Sequence, residues 1–208
     1  MGGRKSEVFS GLIPSEPSDR SNNAHYQNII IRPVELKDLR SLAEILVYSF
    51  YDFPQLLSWV YPLLRLSIYE DLRSRLRSHP PLYCCLVASL VSAESEPTIV
   101  GTVELTMRFS SFSWIPEAQY PYISNLAVKN TYRRQGIGRK LLLRCEQLAR
   151  EWGYREIRLH VLENNHSAKQ LYFSNGYQLY QQDSSWSEFF LNGAQRLLLR
   201  KKLSPISQ

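Results

Sequence analysis

The sequence predicts a single α/β (α+β) domain on a mixed, mostly antiparallel sheet of six to seven strands, flanked by about four helices. Two observations predict this class. Segments with strand and helix periodicity follow one another in the order β-α-α-β-β-β-α-β-α-β-β, so several strands are neighbours in sequence and can pair antiparallel. A chain of 208 residues, 44% apolar and 21% charged, also has the size and composition of one globular domain.

The first 27 residues differ from the rest of the chain. They are rich in Ser, Asn, Pro and Gly and lack periodicity, so we expect a disordered tail at residues 1–27 before a domain at residues 28–204. They contain no apolar core of a secretory signal, and their acidic residues argue against a plastid transit peptide. We therefore expect a cytoplasmic protein, or a stromal one if the source is a photosynthetic eukaryote.

The ionisable residues argue against several classes of function. The net charge of +6 comes without a Lys/Arg-rich run with interleaved aromatics, so we expect no nucleic-acid partner. A phosphorylated cofactor or an acidic substrate accounts for the charge equally well. No apolar run approaches the length of a membrane span, so we expect no membrane partner. The three cysteines and four histidines have no metal-ligand spacing, which predicts reduced core thiols and no metal site.

The first half of the domain predicts, in order, a strand, two helical regions and two strands. The first strand is an apolar run that Pro33 stops, and both helical regions repeat apolar residues every three or four positions. We expect Pro62 to divide the second region into two pieces. The next strand is nearly all apolar, as in a buried strand, and the one after it alternates, as in a strand with one buried face. The segments are residues 29–34, 36–50, 56–76, 82–91 and 98–108.

The second half predicts a strand, an amphipathic helix, a strand, a short helix and two final strands. The amphipathic helix carries its apolar residues on one stripe, and Gly153 ends it. The strand after it alternates, with Ile157 on one face and His160 on the other. Asn165 is a good N-cap for the short helix, which Gly176 ends. The segments are residues 120–128, 138–152, 156–162, 165–176, 177–182 and 194–203.

A glycine-spaced turn joins the strand at 120–128 to the amphipathic helix. It reads Arg133-Arg134-Gln135-Gly136-Ile137-Gly138-Arg139. A strand, a Gly-x-Gly turn and a helix in this order build an anion cradle from backbone N–H groups. Gly136 and Gly138 allow the anion to approach closely, and the arginines add charge-assisted contacts. On spacing alone, a tight turn with solvated arginines is an equally good interpretation.

The residues of this turn limit which kind of anion it could bind. The turn lacks the Lys-Ser/Thr pair with which a P-loop reaches terminal phosphates and Mg²⁺. It is shorter than a dinucleotide fingerprint, and no acidic ribose ligand follows about 20 residues further on. The pattern therefore favours a turn that binds a pyrophosphate without a metal.

Two motifs carry a family resemblance. Residues 133–138 fit the pattern (Arg/Gln)-x-x-Gly-x-(Gly/Ala), and residues 165–177 fit Asn-x-x-Ala-x-x-x-Tyr-x-x-x-Gly-(Phe/Tyr). With these motifs at this spacing, the chain resembles the GNAT superfamily of acetyl-CoA-dependent N-acetyltransferases over about residues 122–179. Within it, the chain is similar to N-terminal protein acetyltransferases and to GNAT proteins of plastids and cyanobacteria. The resemblance implies a single GNAT-like domain.

The resemblance also implies a site for acetyl-CoA as cosubstrate. The end of the strand at 120–128 would bind the pantetheine arm through its backbone, the turn would bind the pyrophosphate, and the start of the short helix would line the thioester. Tyr172 would protonate the departing thiolate, since a tyrosine hydroxyl stays protonated at neutral pH. Core packing is the alternative role for Tyr172. The implied cofactor-binding residues are Leu126, Ala127, Val128, Arg133, Arg134, Gln135, Gly136, Ile137, Gly138, Arg139, Asn165, His166 and Ser167.

Three residues are candidates for the base that takes a proton from the acceptor amine: His160, Tyr122 and Glu104. An imidazole suits this role directly or through water, and a merely hydrogen-bonded strand residue is the alternative for His160. For Glu104, we expect a solvated face or a structural partner rather than catalysis. Tyr122 and His160 resemble the tyrosine and histidine that order a water in acetyltransferases of N-terminal methionine. Histone-type enzymes carry a glutamate where Tyr122 stands, and ribosomal-protein alanine acetyltransferases carry one where His160 stands.

The acceptor remains open at this stage. Trp186, Phe189 and Phe190 would overhang the acceptor site, where they either grip a peptide or an aromatic amine or pack within a hairpin. We expect direct transfer in a ternary complex to a primary amine of a protein, because no cysteine is paired with a histidine for a covalent intermediate. That amine is an N-terminal α-amine or a lysine ε-amine. The alternatives are a small arylalkylamine acceptor and an acyl-CoA-binding regulatory module without turnover, and the chain is expected to be a monomer or a dimer.

Overall fold

The computed structural model describes residues 28–50, 59–78, 80–91, 96–109, 119–183 and 195–204. The tail at 1–27 and the aromatic residues Trp186, Phe189 and Phe190 lie outside these ranges, so the expectations about them stay predictions. Within the ranges, the strands and helices follow the predicted order. They are β1 Ile29–Pro33, α1 Leu39–Phe50, α2 Val60–Ser78, β2 Cys84–Leu90, β3 Thr98–Phe109, β4 Gln119–Val128, α3 Ile137–Glu151, β5 Glu156–Leu162, α4 His166–Ser174, β6 Gln178–Asp183 and β7 Arg196–Lys202.

The strands form one seven-stranded sheet in the order β1-β2-β3-β4-β5-β7-β6. Every neighbouring pair is antiparallel except β4 and β5, which confirms the predicted mixed, mostly antiparallel sheet. The parallel pair is short, because only Tyr122 with Arg158 and Ile123 with Leu159 are in register. Beyond Ile123, the two strands separate towards their carboxyl ends and leave an opening in the sheet.

Helices cover both faces of this sheet. Leu141 and Cys145 of α3 and Tyr172 of α4 pack in a cluster on one face, whereas Leu46 of α1 and Leu72 of α2 pack in a second cluster on the other. The run from Ile99 to Leu105 in β3 is buried throughout. The prediction that β3 buries only one face is therefore wrong, because its alternation conceals a polar face that α1 and α2 cover.

The second helical region differs from the prediction at Pro62. This residue lies in the first turn of α2, which runs without a break from Val60 to Ser78. A proline costs little there, since the first-turn N–H groups have no partner inside a helix. The segment before it, at residues 51–58, lies outside the described ranges. No helix in those ranges combines the length and the apolar character that crossing a membrane requires.

An ion pair fixes the start of α1. Asp38 closes the 3-10 turn before the helix, and its carboxylate accepts a 2.8 Å hydrogen bond from the backbone N–H of Glu35. Arg32 at the end of β1 binds both carboxylate oxygens, at 2.7 and 3.0 Å. Asp38 is only 5% exposed, so this bidentate pair joins the first strand to the first helix in a largely buried setting.

Candidate active site

A cleft of about 370 Å³ opens where β4 and β5 separate. Four residues that the sequence singles out line it: Tyr122, Leu126, His160 and Tyr172. Phe50 at the end of α1, Asn125 of β4 and Arg196 of β7 line it as well, and sequence reasoning missed them. No motif marks these three, because strand order and register bring Asn125 and Arg196 to the cleft and the end of α1 brings Phe50 there.

The hydroxyl of Tyr122 and Nδ1 of His160 form a 2.7 Å hydrogen bond. Arg196 donates a longer bond of 3.4 Å to the same hydroxyl oxygen. An arginine can only donate, so the hydroxyl accepts from Arg196; its oxygen has a second lone pair, so it either donates its proton to Nδ1 or accepts from Nδ1–H, according to the imidazole tautomer. With Nδ1 as the acceptor, the bond links the cleft to a group that can hold a proton.

The Tyr122 ring is fixed from its other side. It is 3% exposed, and the guanidinium carbon of Arg108 lies 3.6 Å from its centroid. A cation over an aromatic face is attractive, so Arg108 of β3 and Arg196 of β7 both restrain a side chain of β4. The orientation of Tyr122 therefore depends on three strands that are far apart in sequence.

Tyr172 lies on α4 and faces both the core and the cleft. It is 7% exposed, and its ring packs at a tilt against Tyr177 with 5.9 Å between centroids. Burial, together with the nearby Tyr122, raises the pKa of Tyr172. Core packing and a cleft position are thus compatible for this residue, and its hydroxyl keeps its proton at neutral pH.

The N-terminus of α3 forms the predicted cradle. Gly136 is its N-cap with φ +77°, and Arg134 before it has φ +63°. The backbone N–H of Lys140 makes the bond to the Gly136 carbonyl, so the N–H groups of the first turn before it have no partner inside the helix. This turn contains no acidic residue, and a Cβ on Gly136 would meet no atom within 4 Å. The open space and unpaired donors fit a pyrophosphate.

Three other residues of the turn have structural partners. Arg133 donates from Nε to the Val128 carbonyl at 3.1 Å, and Arg134 donates to the Gln170 side chain of α4 at 3.1 Å. A Cβ on Gly138 would lie 3.1 Å from Leu171. Gly138 therefore permits the close packing of α3 against α4, a role that the Gly-x-Gly spacing did not indicate.

The remaining predicted cofactor residues are not among those that line the cleft. The Asn165 side chain accepts a 3.1 Å hydrogen bond from the Ala168 N–H, which confirms it as the N-cap of α4. His166 and Ser167 follow it as exposed residues of the first turn. Ala127 is buried against the α1 and α2 side of the sheet. A cofactor role for these residues rests on their backbone groups and on exposed polar atoms.

Glu104, the third candidate for the base, is fully buried on β3. Arg75, Tyr83 and Asn125 all contact its carboxylate. The expectation of a structural partner is confirmed, whereas that of a solvated face is wrong. The reason is the one that applies to all of β3: the face that appears polar in the sequence lies under α1 and α2.

The thiols and histidines add no other chemistry to this cleft. Burial raises the pKa of Cys84, Cys85 and Cys145, so their thiols stay neutral. Across the part of the chain that the structure describes, no three His, Cys, Asp or Glu side chains are grouped so that they could hold a metal ion. Among the described residues that line the cleft, Tyr122, His160, Tyr172 and Arg196 are the titratable ones.

The sequence is similar to those of known acetyltransferases. Residues 46–177 match the "Acetyltransferase (GNAT) family". A "GCN5-related N-acetyltransferase 10, chloroplastic" of Arabidopsis thaliana is 30% identical over 145 residues, which are 66% of this chain and 57% of that protein. A "Thialysine N-epsilon-acetyltransferase" of Bos taurus is 34% identical over 125 residues, 60% of this chain and 72% of that protein. The chain thus spans little more than half the length of the Arabidopsis relative.

Solved structures share the fold. The NatC complex bound to Gag peptide and CoA contains a chain that superposes with a TM-score of 0.63 at 20% identity, covering 85% of this chain and 99% of that one. Naa20 of Chaetomium thermophilum in complex with a bisubstrate analogue gives a TM-score of 0.62 at 21% identity, covering 84% and 86%. The resemblance in the two sequence motifs is confirmed: this chain belongs to the acetyltransferase (GNAT) family.

Proposed function

We propose that the chain is an acetyl-CoA-dependent N-acetyltransferase that acetylates a primary amine of a protein. The observation that carries the proposal is the meeting of the Tyr122–His160 pair and Tyr172 on one cleft, where β4 and β5 separate. Acetyl-CoA, when bound, supplies an acetyl group already activated as a thioester. The protein then has to position the amine and move two protons.

The cofactor-binding role belongs to the elements around the cleft. The unpaired N–H groups at the start of α3 bind the pyrophosphate, where the helix dipole favours negative charge. Arg139, which is exposed beside them, adds a positive charge. The backbone of residues 126–128 binds the pantetheine arm, and residues 165–167 line the cofactor near the thioester. The separation of β4 from β5 supports this, because it leaves the end of β4 without a neighbour on that side.

The acceptor amine loses its proton to the Tyr122–His160 pair. The Tyr122 hydroxyl takes the proton from the amine while it passes its own to Nδ1 of His160, along the 2.7 Å hydrogen bond. Arg196 keeps the hydroxyl oriented for this transfer. The amine nitrogen then attacks the acetyl carbon directly, since the buried neutral thiols offer no covalent route.

Tyr172 supplies the second proton. It donates from its hydroxyl to the sulfur that departs when the carbon–sulfur bond breaks. That transfer leaves Tyr172 as a tyrosinate, a strong base because its pKa is raised, and it regains a proton from the attacking nitrogen as the amide forms. The protons balance for an acceptor that enters as an ammonium: the Tyr122–His160 pair takes the first proton before attack, and the second replaces the one that Tyr172 gives to the thiolate.

A protein amine is the acceptor that we favour. The N-terminal acetyltransferases among the solved structures support it, one of them bound to a peptide and CoA. A small amine is the second candidate, since the thialysine acetyltransferase is 34% identical and its match extends over 72% of that protein. Because thialysine carries an aliphatic amine, an aliphatic small amine is a more specific alternative acceptor than an arylalkylamine.

One experiment separates these acceptors. The chain is incubated with acetyl-CoA and an equimolar mixture of peptides with free N-termini, peptides with blocked N-termini and internal lysine, and free amines including thialysine and serotonin. Mass spectrometry then locates the acetyl groups, with a His160→Ala variant as the control for uncatalysed acetylation. Acetyl on peptide N-termini or lysines supports the proposal, and acetyl on the free amines alone overturns its protein part. CoA binding without any acetylated product would indicate the non-catalytic alternative.

We also propose that residues 28–204 form the acetyltransferase domain, since the family match at 46–177 lies within them. For its location we propose the cytoplasm, or the plastid stroma in a photosynthetic eukaryote. The names of the Arabidopsis relatives, which are called chloroplastic, favour the second site. Imaging of the full chain fused to a fluorescent protein at its carboxyl end distinguishes the two.

A further inference from the structure

We propose that Glu104 is a positioning residue for the cofactor site and acts through Asn125. This inference rests on the proposed function, because the site that Glu104 shapes is the one assigned above to acetyl-CoA. Glu104 does not line the cleft, whereas Asn125 and its neighbours Ser124 and Leu126 do. The link between them is a bulge in β4.

The register of β3 and β4 defines this bulge. Thr102 pairs with Ala127 and Glu104 pairs with Ser124, so a step of two residues in β3 faces a step of three in β4. β4 therefore contains one extra residue, at the point where it has separated from β5. Asn125 takes up the distortion in the left-handed region, with φ +53°. The path of Leu126 into the cleft depends on this local shape.

The Asn125 side chain holds the bulge to the buried carboxylate. Its Nδ2 donates a 2.7 Å hydrogen bond to Oε1 of Glu104. The other oxygen, Oε2, accepts from Arg75 of α2 at 3.0 Å and from Tyr83 at 3.4 Å. The two carboxylate oxygens thus have different partners. Oε1 accepts from Asn125 in the bulge, and Oε2 forms an ion pair with Arg75 of α2.

Two features make this contact more than ordinary packing. A non-glycine residue in the left-handed region is strained unless its surroundings hold it there, and asparagine is one of the few that tolerate it. A hydrogen bond to a charged acceptor inside the protein is stronger than one to a neutral group. Water does not compete for this acceptor, since Glu104 is 0% exposed. The Glu104–Asn125 bond therefore selects one conformation of the strand that borders the cofactor.

The test uses substitutions that separate the bond from the backbone conformation. Asn125→Ala removes both the bond and the tolerance of the left-handed region. Asn125→Gly removes the bond but keeps that tolerance. Glu104→Gln keeps an oxygen for Asn125 but leaves Arg75 without its buried partner. Tyr83→Phe, the matched control, removes the 3.4 Å contact to the other oxygen and leaves the Asn125 bond in place.

Three measurements are made on each variant. Hydrogen exchange of the backbone amides of residues 124–128, without CoA, reports whether the bulge is held. Calorimetric titration with CoA gives the dissociation constant, and steady-state kinetics give kcat at saturating acetyl-CoA. We expect faster exchange and about 10-fold weaker CoA binding in Asn125→Ala, smaller changes in Asn125→Gly and none in Tyr83→Phe. In Asn125→Ala, kcat falls less than the affinity, because Tyr122 and His160 are not altered.

Unchanged exchange and unchanged CoA affinity in both Asn125 variants would overturn the inference. If Asn125→Ala fails to fold, Asn125→Gly decides, because glycine adopts the required conformation without strain. A lower kcat without weaker CoA binding in the Asn125 variants would also contradict the inference. The Glu104–Asn125 bond would then affect the chemical step and not the binding of the cofactor. Failure of the wild-type chain to bind CoA would overturn the proposed function and the cofactor part of this inference, while the exchange data still decide whether Glu104 holds the bulge.

Discussion

The Tyr122 hydroxyl lies 2.7 Å from Nδ1 of His160, although the two residues are 38 positions apart. The parallel pairing of β4 with β5 brings them together, and Arg196 of β7 contributes a third polar group to the same point. The bond joins a residue that faces the cleft to one that can hold a proton, which is why the base is assigned to the pair rather than to either residue alone.

Removing either member of this pair should slow the reaction. We expect Tyr122→Phe and His160→Ala each to lower kcat/KM by about 100-fold, the scale of a lost general base, with little change in CoA affinity. Steady-state kinetics and calorimetric titration with CoA measure the two effects. Tyr120→Phe is the matched control, because that ring lies on the same strand but packs against Arg158 outside the cleft lining. Wild-type activity in both variants would remove the pair from the mechanism.

The hydroxyl of Tyr172 should matter for turnover and not for the fold. Tyr172→Phe keeps the buried ring and removes the proton donor, so we expect kcat to fall by about 100-fold or more while CoA affinity stays the same. Tyr177→Phe is a close control, since the Tyr177 ring packs against Tyr172 but is not among the residues that line the cleft. Loss of its buried hydroxyl should leave kcat unchanged. Equal kcat values for the two variants would reduce Tyr172 to a packing residue.

The two glycines of the cradle should respond differently to substitution. Gly136→Ala forces a Cβ onto a residue at φ +77°, which costs about 1 to 2 kcal/mol, and this Cβ extends into the open space that we propose for the pyrophosphate. We expect weaker CoA binding. Gly138→Ala places a Cβ 3.1 Å from a terminal methyl group of Leu171, so that side chain must shift by a few tenths of an ångström, which offsets the roughly 1 kcal/mol by which a helix favours Ala over Gly.

Urea unfolding and CoA titration distinguish the two glycine variants. Leu171→Ala should cost less stability in the Gly138→Ala background than in the wild-type chain, because it empties the space that the new methyl group needs. The same substitution added to Gly136→Ala should only destabilise. Equal CoA affinity in Gly136→Ala and the wild-type chain would contradict the assignment of the cradle.

A buried ion pair under α3 should contribute strongly to stability. The Lys201 ammonium lies 2.8 and 2.7 Å from the two carboxylate oxygens of Glu146, which is 1% exposed. Lys201→Met leaves that buried carboxylate without its close partner, so we expect a loss of about 3 to 5 kcal/mol in the free energy of unfolding. Arg73→Met breaks the exposed pair with Glu70 and should cost about 0 to 1 kcal/mol. Similar losses in the two variants would show that burial does not decide the effect.

The Arg32–Asp38 pair should make stability depend on acid pH. Burial tends to raise the pKa of Asp38, but the hydrogen bonds from Arg32 and from the Glu35 N–H outweigh it and leave the pKa lowered. A lowered folded-state pKa means that the stabilisation is complete above the unfolded pKa of about 3.9 and is lost as the pH falls through the folded value. We expect Asp38→Asn to cost about 1 to 3 kcal/mol at pH 7 and much less at pH 3. Urea unfolding at both pH values tests this, and an equal cost at both would contradict it.

Local sequence signals predicted the elements well because they act over a few residues. The N-cap at Asn165, the left-handed Gly153 that ends α3 and the strand stop at Pro33 all depend on neighbours within one or two turns. The prediction that Pro62 divides the second helical region was wrong, because a proline is compatible both with a break between two helices and with the first turn of one helix. The error at β3 has a different cause, since alternation cannot show that a second layer covers the polar face.

The sequence by itself determined the order of the elements, the cradle turn, the motif with Tyr172 and the family to which the chain belongs. These features are encoded by periodicity and by residue types at short spacing. Only the tertiary structure decided that Arg196 and Arg108 restrain Tyr122, that Gly138 accommodates Leu171, and that Glu104 anchors Asn125. Each of these contacts joins two different elements, and strand order, register and helix packing bring them together.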